Sequence, residues 1–421
     1  MANQKLTYRE LLLIIGFYFA SIFVAAISMY SHASSMRLGL VVSIGIFLTL
    51  ALIHGLRLAI PARVIVHIAG IFLVIALLYI LSGMIFDGRD LNRFIGSLLL
   101  LIILFLTSFV FLRSISNIRE EFFNSAVFFG FYLLAIVGYL AVFLQKSGYV
   151  EGKSMLIFSE PSHYGIAFLP FLLYVVLTSE KQVLRAIYMV LGFGLGILVQ
   201  NLTIIAGAFA IIILIFFKTK KYFYYLIVIS VLVFLLFLLD LSYFTERLNF
   251  SDDNSNLSTL VYLSGWERAY TGLQESYGIG LGLQQLGVVG EAGDYQVLLM
   301  SLLEGDNLNL FDGGSLASKI IAEFGLAGIL SLLVYVYAAL NVAVKVVSGK
   351  IQGSRNIFFS SVFLMFIIEL FVRGMGYFSV TSFMFISSVY WLYSPRNYFN
   401  LTEARGKRGD CYIQQQISGI K

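Results

Sequence analysis

The chain is short of charge, histidine, proline and cysteine. Charged residues make up 12% of its 421 positions and hydrophobic ones 59%, whereas a soluble domain is about a quarter charged. That shortage excludes an ordinary water-facing surface. The single cysteine, Cys411, excludes a disulfide within the chain. No HExxH, CxxC or paired-histidine spacing occurs, so a transition metal finds no ligand set. DDNSN (252–256) begins like a calcium loop, but Leu257 and Leu263 stand where its glycine and bidentate glutamate belong.

What the chain has in quantity is apolar sequence, with a mean hydropathy of +0.91. It falls in blocks of about 20 residues, the length a helix needs to cross a hydrocarbon core of roughly 30 Å. Inside a bilayer every backbone group must be bonded within its own segment, so such blocks form helices. A membrane barrel would show short alternating strands instead. The expected fold is therefore all-α, a polytopic membrane protein of about twelve transmembrane helices forming a single integral membrane domain over 1–421. The spans fall near 11–30, 38–54, 64–86, 94–112, 122–144, 163–179, 183–199, 202–217, 222–240, 317–344, 357–373 and 376–393. The seventh and eighth are separated only by Gln200 and Asn201, a spacing that also suits a re-entrant hairpin.

Positive charge orients the spans. With both termini inside, every inner segment carries at least two Lys or Arg, including the basic 394–421 tail. The outer side keeps only Arg37, Arg89, Arg93, Lys146, Lys153, Arg247, Arg268, Lys319 and Arg373. The net charge of +5 thus reflects topology and gives no ground for a nucleic-acid partner. One long outer loop, 241–316, separates the ninth and tenth spans.

Two outer stretches can hold chemistry. SEPSHYG (159–165) opens the sixth span. Pro161 suits a first helical turn, and Ser159 or Glu160 would cap it. Glu160, His163 and Tyr164 are then spaced to share one face at a helix end whose dipole favours anions. The plainer alternative is a capped helix anchored at the membrane interface. In the acidic 241–316 loop, Arg247 and Arg268 are the available cations, and Trp266, Glu267 and Arg268 lead towards the glycine-rich YGIGLGLQQLG (277–287). No strand precedes that tract, so it does not make a nucleotide-binding loop. Arg268 would otherwise make a surface ion pair with Glu267 or a neighbouring acid. Glu369 and Arg373 lie one turn apart, acid first, and are expected to pair. Ionisable groups within spans are expensive and mark functional sites.

EPSHYG, SGWERAYTGLQESYGIGLG and DGGSLASKIIAEFGLAG (312–328), set in this layout, resemble the O-antigen polymerases of the O-antigen ligase/polymerase superfamily. Glu323-x-Gly325 is similar to a feature common in that superfamily. The ligases carry His-Asn eight residues before that glutamate, where this chain has Gly314 and Ser315, which favours polymerase over ligase.

The resemblance implies glycosyl transfer at the periplasmic face of a bacterial inner membrane. The growing glycan would leave one undecaprenyl diphosphate and join a fresh undecaprenyl-diphosphate-linked repeat unit. A chain-length regulator and a flippase would work in the same membrane. Glu160, His163 and Arg268 would be catalytic. Tyr164, Trp266, Arg247, Arg373, Glu369 and Glu323 would bind substrate. The scheme requires no metal, nucleotide sugar or other cofactor. The competing reading is a lipid-linked oligosaccharide flippase or another transporter, which has little use for a long polar outer loop.

Overall fold

A computed structural model describes residues 6–31, 36–53, 60–149, 154–219, 256–304 and 309–395. It is all-helical among these residues, with one isolated bridge between Leu286 and Val289 and no strand. In chain order the helices are α1 (Tyr8–Ser21), α2 (Phe23–Tyr30), α3 (Met36–Ile53), α4 (Ala62–Ser82), α5 (Leu91–Ser116), α6 (Glu120–Lys146) and α7 (Pro161–Thr178). They continue with α8 (Gln182–Leu198), α9 (Leu202–Thr219), α10 (Leu257–Glu275), α11 (Asp294–Leu302), α12 (Leu316–Val347), α13 (Ser354–Phe371) and α14 (Val380–Tyr393).

Seven of these helices, α3 to α7, α12 and α13, are long and apolar enough to cross a membrane. The bent pair α1–α2 makes an eighth, and α8, α9 and α14 are shorter apolar helices. The chain is thus a polytopic membrane protein, and the expected spans within the described residues fall on helices, the first of them on the bent pair α1–α2. The expected 222–240 span lies outside them, as do Arg247, Cys411 and most of the 394–421 tail. Between α8 and α9 the chain reverses at Gln200, with φ of 52°, and the Asn201 side chain accepts from Ile204 N at 3.0 Å to start α9.

Two departures from the expected layout have local causes. The first span bends by 59° between α1 and α2. Just before the bend, Ser21 Oγ donates to Phe17 O at 2.7 Å, a side-chain bond of the kind that bends helices. The 241–316 region is no simple loop either, since it contains α10 and α11.

α7 and α13 form the centre of the bundle, and α4 lies at its rim: 72% of the apolar window of α7 is buried against 22% for α4. Lipid is as apolar as leucine, so a rim helix loses little by leaving Ile and Leu outward. At the centre, Phe358 packs edge-on against Phe17, Phe123 and Phe171 at 5.6, 5.7 and 5.3 Å, joining α1, α6, α7 and α13 through ring-edge contacts. α6 approaches α7 closely at Gly138, where a Cβ would stand 2.5 Å from the Tyr164 hydroxyl.

Charge is sorted to the two ends of this bundle. At one end Glu10 binds Arg119 at 2.7 Å and Glu120 binds Arg355 at 2.9 Å. At the other, the starts of α3, α5, α7 and α12 meet the end of α13 and the α10–α11 substructure. Glu10, Arg119, Glu120 and Arg355 thus pair at one end, and Glu160, Arg373, Asp312 and Lys319 at the other.

Candidate functional site

The site at this second end begins at Glu160. It is the N-cap of α7, in extended conformation, with Pro161 as the first helical residue. Contrary to expectation, neither Glu160 nor Ser159 caps with its side chain, because the Glu160 carboxylate is drawn elsewhere. Its Oε2 lies 3.1 Å from Arg373 Nη2 and accepts from Ser162 Oγ at 3.0 Å. His163 Nε2 stands 3.9 Å from the same oxygen, and its Nδ1 lies 3.3 Å from Ser159 Oγ. Burial alone would raise the Glu160 pKa, but His163 and Arg373 outweigh it and hold the carboxylate below its usual range.

Tyr164 does not join this group. It is fully buried and donates to Leu134 O at 2.9 Å, with its ring stacked on Phe168. The tyrosine therefore anchors the first turn of α7 and leaves Glu160 half-exposed, with His163 largely buried beside it. Glu369 is also elsewhere. It is buried and accepts from Ser379 Oγ at 3.0 Å. The expected Glu369–Arg373 pair is absent because α13 ends at Phe371, which turns the Arg373 side chain away from the helical register towards Glu160.

A second group surrounds Glu323. This residue is fully buried, and neither carboxylate oxygen closes a hydrogen bond. The Tyr377 hydroxyl and the backbone N–H groups of Gln284 and Leu286 face it but fall short of hydrogen-bond geometry. Lys319, one turn earlier, places Nζ 4.0 Å from Glu323 Oε1 while donating to Phe311 O at 2.6 Å and lying 3.4 Å from Asp312 Oδ1. Arg268 is 4% exposed, donates to Leu310 O at 2.6 Å and feels the Glu323 charge. Burial pushes its guanidinium down to about 10, with Glu323 and Glu267 acting against that shift.

Arg268 is no surface pair of Glu267. The Glu267 carboxylate instead accepts from Asp294 N and Tyr295 N at 2.8 and 3.0 Å, capping α11. Trp266 has a buried indole N–H without a partner and meets Tyr262 edge-on at 6.3 Å. Tyr262 in turn donates to Phe371 O at 3.0 Å, holding α10 against the end of α13.

The glycine-rich tract builds the floor beneath Glu323. α12 breaks at Gly325, with φ 56° and ψ −132°, a region open essentially to glycine alone. The break frees carbonyls that the tract then satisfies. Leu281 N donates to Ala322 O and Gly282 N to Glu323 O, both at 2.9 Å, and Leu326 N donates to Gly278 O at 2.8 Å. A Cβ on Gly325 would stand 2.1 Å from Gly278 O. Glu323-x-Gly325 is therefore a helix interruption that lifts a buried carboxylate out of the regular helical stack.

The two groups meet through Asp312, which binds Lys319 and lies within electrostatic reach of His163. The site thus joins Glu160, His163, Arg373, Asp312, Lys319, Glu323, Arg268 and Tyr377. Lys319, Asp312 and Tyr377 were missed in sequence, although Lys319 was visible as a cation placed against the inward bias of the rest. Among the described residues no three His, Cys, Asp or Glu side chains are grouped to hold a metal ion. The arrangement can hold an anion beside paired guanidinium and ammonium groups, with a histidine and carboxylates at hand for proton transfer. No family model, no curated protein and no solved structure matches the chain.

Proposed function

We propose that this protein is a membrane glycosyltransferase that polymerises lipid-linked oligosaccharide repeat units into O-antigen or a related surface polysaccharide. The observation that carries this reading is the convergence of Arg268, Lys319 and Arg373 with His163, Glu160, Asp312 and Glu323 at one end of a membrane bundle. Transfer from a lipid diphosphate needs cations for the departing diphosphate and a base for the acceptor hydroxyl. Arg373 and Arg268 supply forked donors suited to phosphate oxygens. Glu160 holds Arg373 and His163 in place, and Glu160 and His163 are the candidates to take the hydroxyl proton. The site faces the periplasm, and both termini are cytoplasmic in the inner membrane.

The test is a deletion strain complemented with His163→Ala, its surface glycan resolved on a gel. A polymerase defect leaves core carrying at most one repeat. Bare core would indicate a ligase, and lipid-linked repeats trapped inside would indicate a flippase. Either of these outcomes sinks the proposal.

A further inference from the structure

Arg37 is the second residue of α3 and Arg93 the third of α5. Both guanidiniums reach one neutral oxygen, Gln284 Oε1, at 2.9 and 3.5 Å. Arg37 lies over the Phe378 ring at 4.9 Å and Arg93 over the Phe311 ring at 4.0 Å. The two cations repel each other. Neither forms an ion pair with a carboxylate among the described residues, and Arg93 Nε is buried without a hydrogen-bond partner. Asp90 caps α5 by accepting from Arg93 N at 2.9 Å, so its carboxylate is already engaged by the backbone. Asp312 and Glu323 act on Arg93 only at a distance.

Two local features oppose a pair of cations at this place. Each sits in the first turn of a helix, where the dipole disfavours positive charge, and one amide oxygen is shared between them. Yet the arrangement is rigid. Aromatic faces hold both guanidinium planes. Gln284 is 1% exposed and belongs to the tract whose Leu281 and Gly282 bond into the α12 break. Both arginines remain partly open at the outer end of the bundle. Two pre-positioned forks with spare donors and no counter-ion match the oxygens of a phosphate.

We propose that Arg37 and Arg93 form a second phosphate seat, separate from the Glu160–Arg373 group, which takes the diphosphate of one of the two lipid-linked substrates. This rests on the glycosyltransferase reading, whose reaction brings two diphosphate carriers together.

The test measures binding of inorganic pyrophosphate and of farnesyl diphosphate to the purified full-length protein in neutral detergent by calorimetry. Wild type is compared with Arg37→Gln/Arg93→Gln and Arg37→Lys/Arg93→Lys, and melting temperature is followed in parallel. The Gln pair is expected to bind at least tenfold more weakly at unchanged melting temperature, and the Lys pair to fall between. Arginine-dependent binding of farnesyl diphosphate alone identifies a lipid-borne ligand, and binding of both probes shows that the phosphate groups suffice. Wild-type failure to bind either probe overturns the proposal, as does affinity unchanged in the variants. Should the Gln pair not fold, the Lys pair decides, and wild-type affinity there counts against the seat. Arginine-dependent binding in a protein whose deletion leaves the glycan ladder normal would uphold the seat and sink the polymerase reading. A lost ladder with arginine-independent binding would do the reverse.

Discussion

Arg373 passes over Glu369, four residues before it, and pairs at 3.1 Å with Glu160, 213 positions away in the chain. Two helices long and apolar enough to span a membrane are thereby tied, α7 at its start and α13 just past its end. The same carboxylate oxygen accepts from Ser162 and faces His163, so the guanidinium, Ser162 and His163 gather on one atom at the start of α7.

If that pair were only structural, it would contribute about 0–1 kcal/mol at this partly exposed place, and exchanging the charges would restore it. Glu160→Arg combined with Arg373→Glu is expected to leave abundance near wild type and long-chain glycan sharply reduced. Full chain length in the exchanged protein would limit Arg373 to a structural role. The depressed Glu160 pKa fixes the pH behaviour too. Its stabilising contribution is present above the ordinary carboxylate value and disappears only as pH falls through the lower folded one. Glu160→Gln should therefore destabilise the protein at neutral pH and make little difference in strong acid, read as melting temperature in detergent.

Arg268 separates charge from shape. Arg268→Lys keeps a cation beside Glu323 but loses the bond to Leu310 O, an exchange that is not conservative for forked donors. The variant is expected at near-normal abundance with fewer or shorter chains. Arg268→Ala leaves the Leu310 carbonyl without its donor, at about 1–3 kcal/mol, and is expected to be inactive. Normal chain length per molecule in the lysine variant would remove Arg268 from the reaction.

Gly325 is expected to be intolerant. Gly325→Ala places a Cβ 2.1 Å from Gly278 O at a φ of 56°. Backbone strain of about 1–3 kcal/mol adds to that clash, and the tract beneath Glu323 must move. Gly45→Ala, with nothing within 4 Å of the new methyl, should be neutral or stabilising by under about 1 kcal/mol. Similar melting temperatures for the two variants would refute the role given to the break.

Topology is tested by labelling with a membrane-impermeant thiol reagent in a Cys411→Ser background. Ser301→Cys in α11 is expected to react in intact spheroplasts, and Ser348→Cys, just after α12, only after permeabilisation. The opposite pattern would invert the bundle and place the site in the cytoplasm.

Membrane embedding and the helical segments were legible in the sequence because hydrocarbon forces each segment to satisfy its own backbone. Twenty apolar residues therefore declare themselves without reference to any neighbour. SEPSHYG was legible for a related reason, since Pro161 marks a first turn by its own chemistry, with Glu160 just before it and His163 two residues after. Partner choice was not legible in this way. Glu369 and Arg373 satisfy the local pairing rule, but α13 ends between them, and Arg373 finds Glu160 across the bundle. Tyr164 shares the spacing of Glu160 and His163, yet the close approach of α6 takes it into the core. Lys319 meets Glu323 by ordinary helical spacing, whereas Arg268 comes within reach of Glu323 only because α10 packs with the glycine tract against α12, an arrangement tied by hydrogen bonds between segments some 40 residues apart. Local backbone chemistry thus determined which segments are helices, whereas the pairing of buried charges depended on the packed bundle, because a carboxylate takes whichever cation the surrounding helices bring within reach.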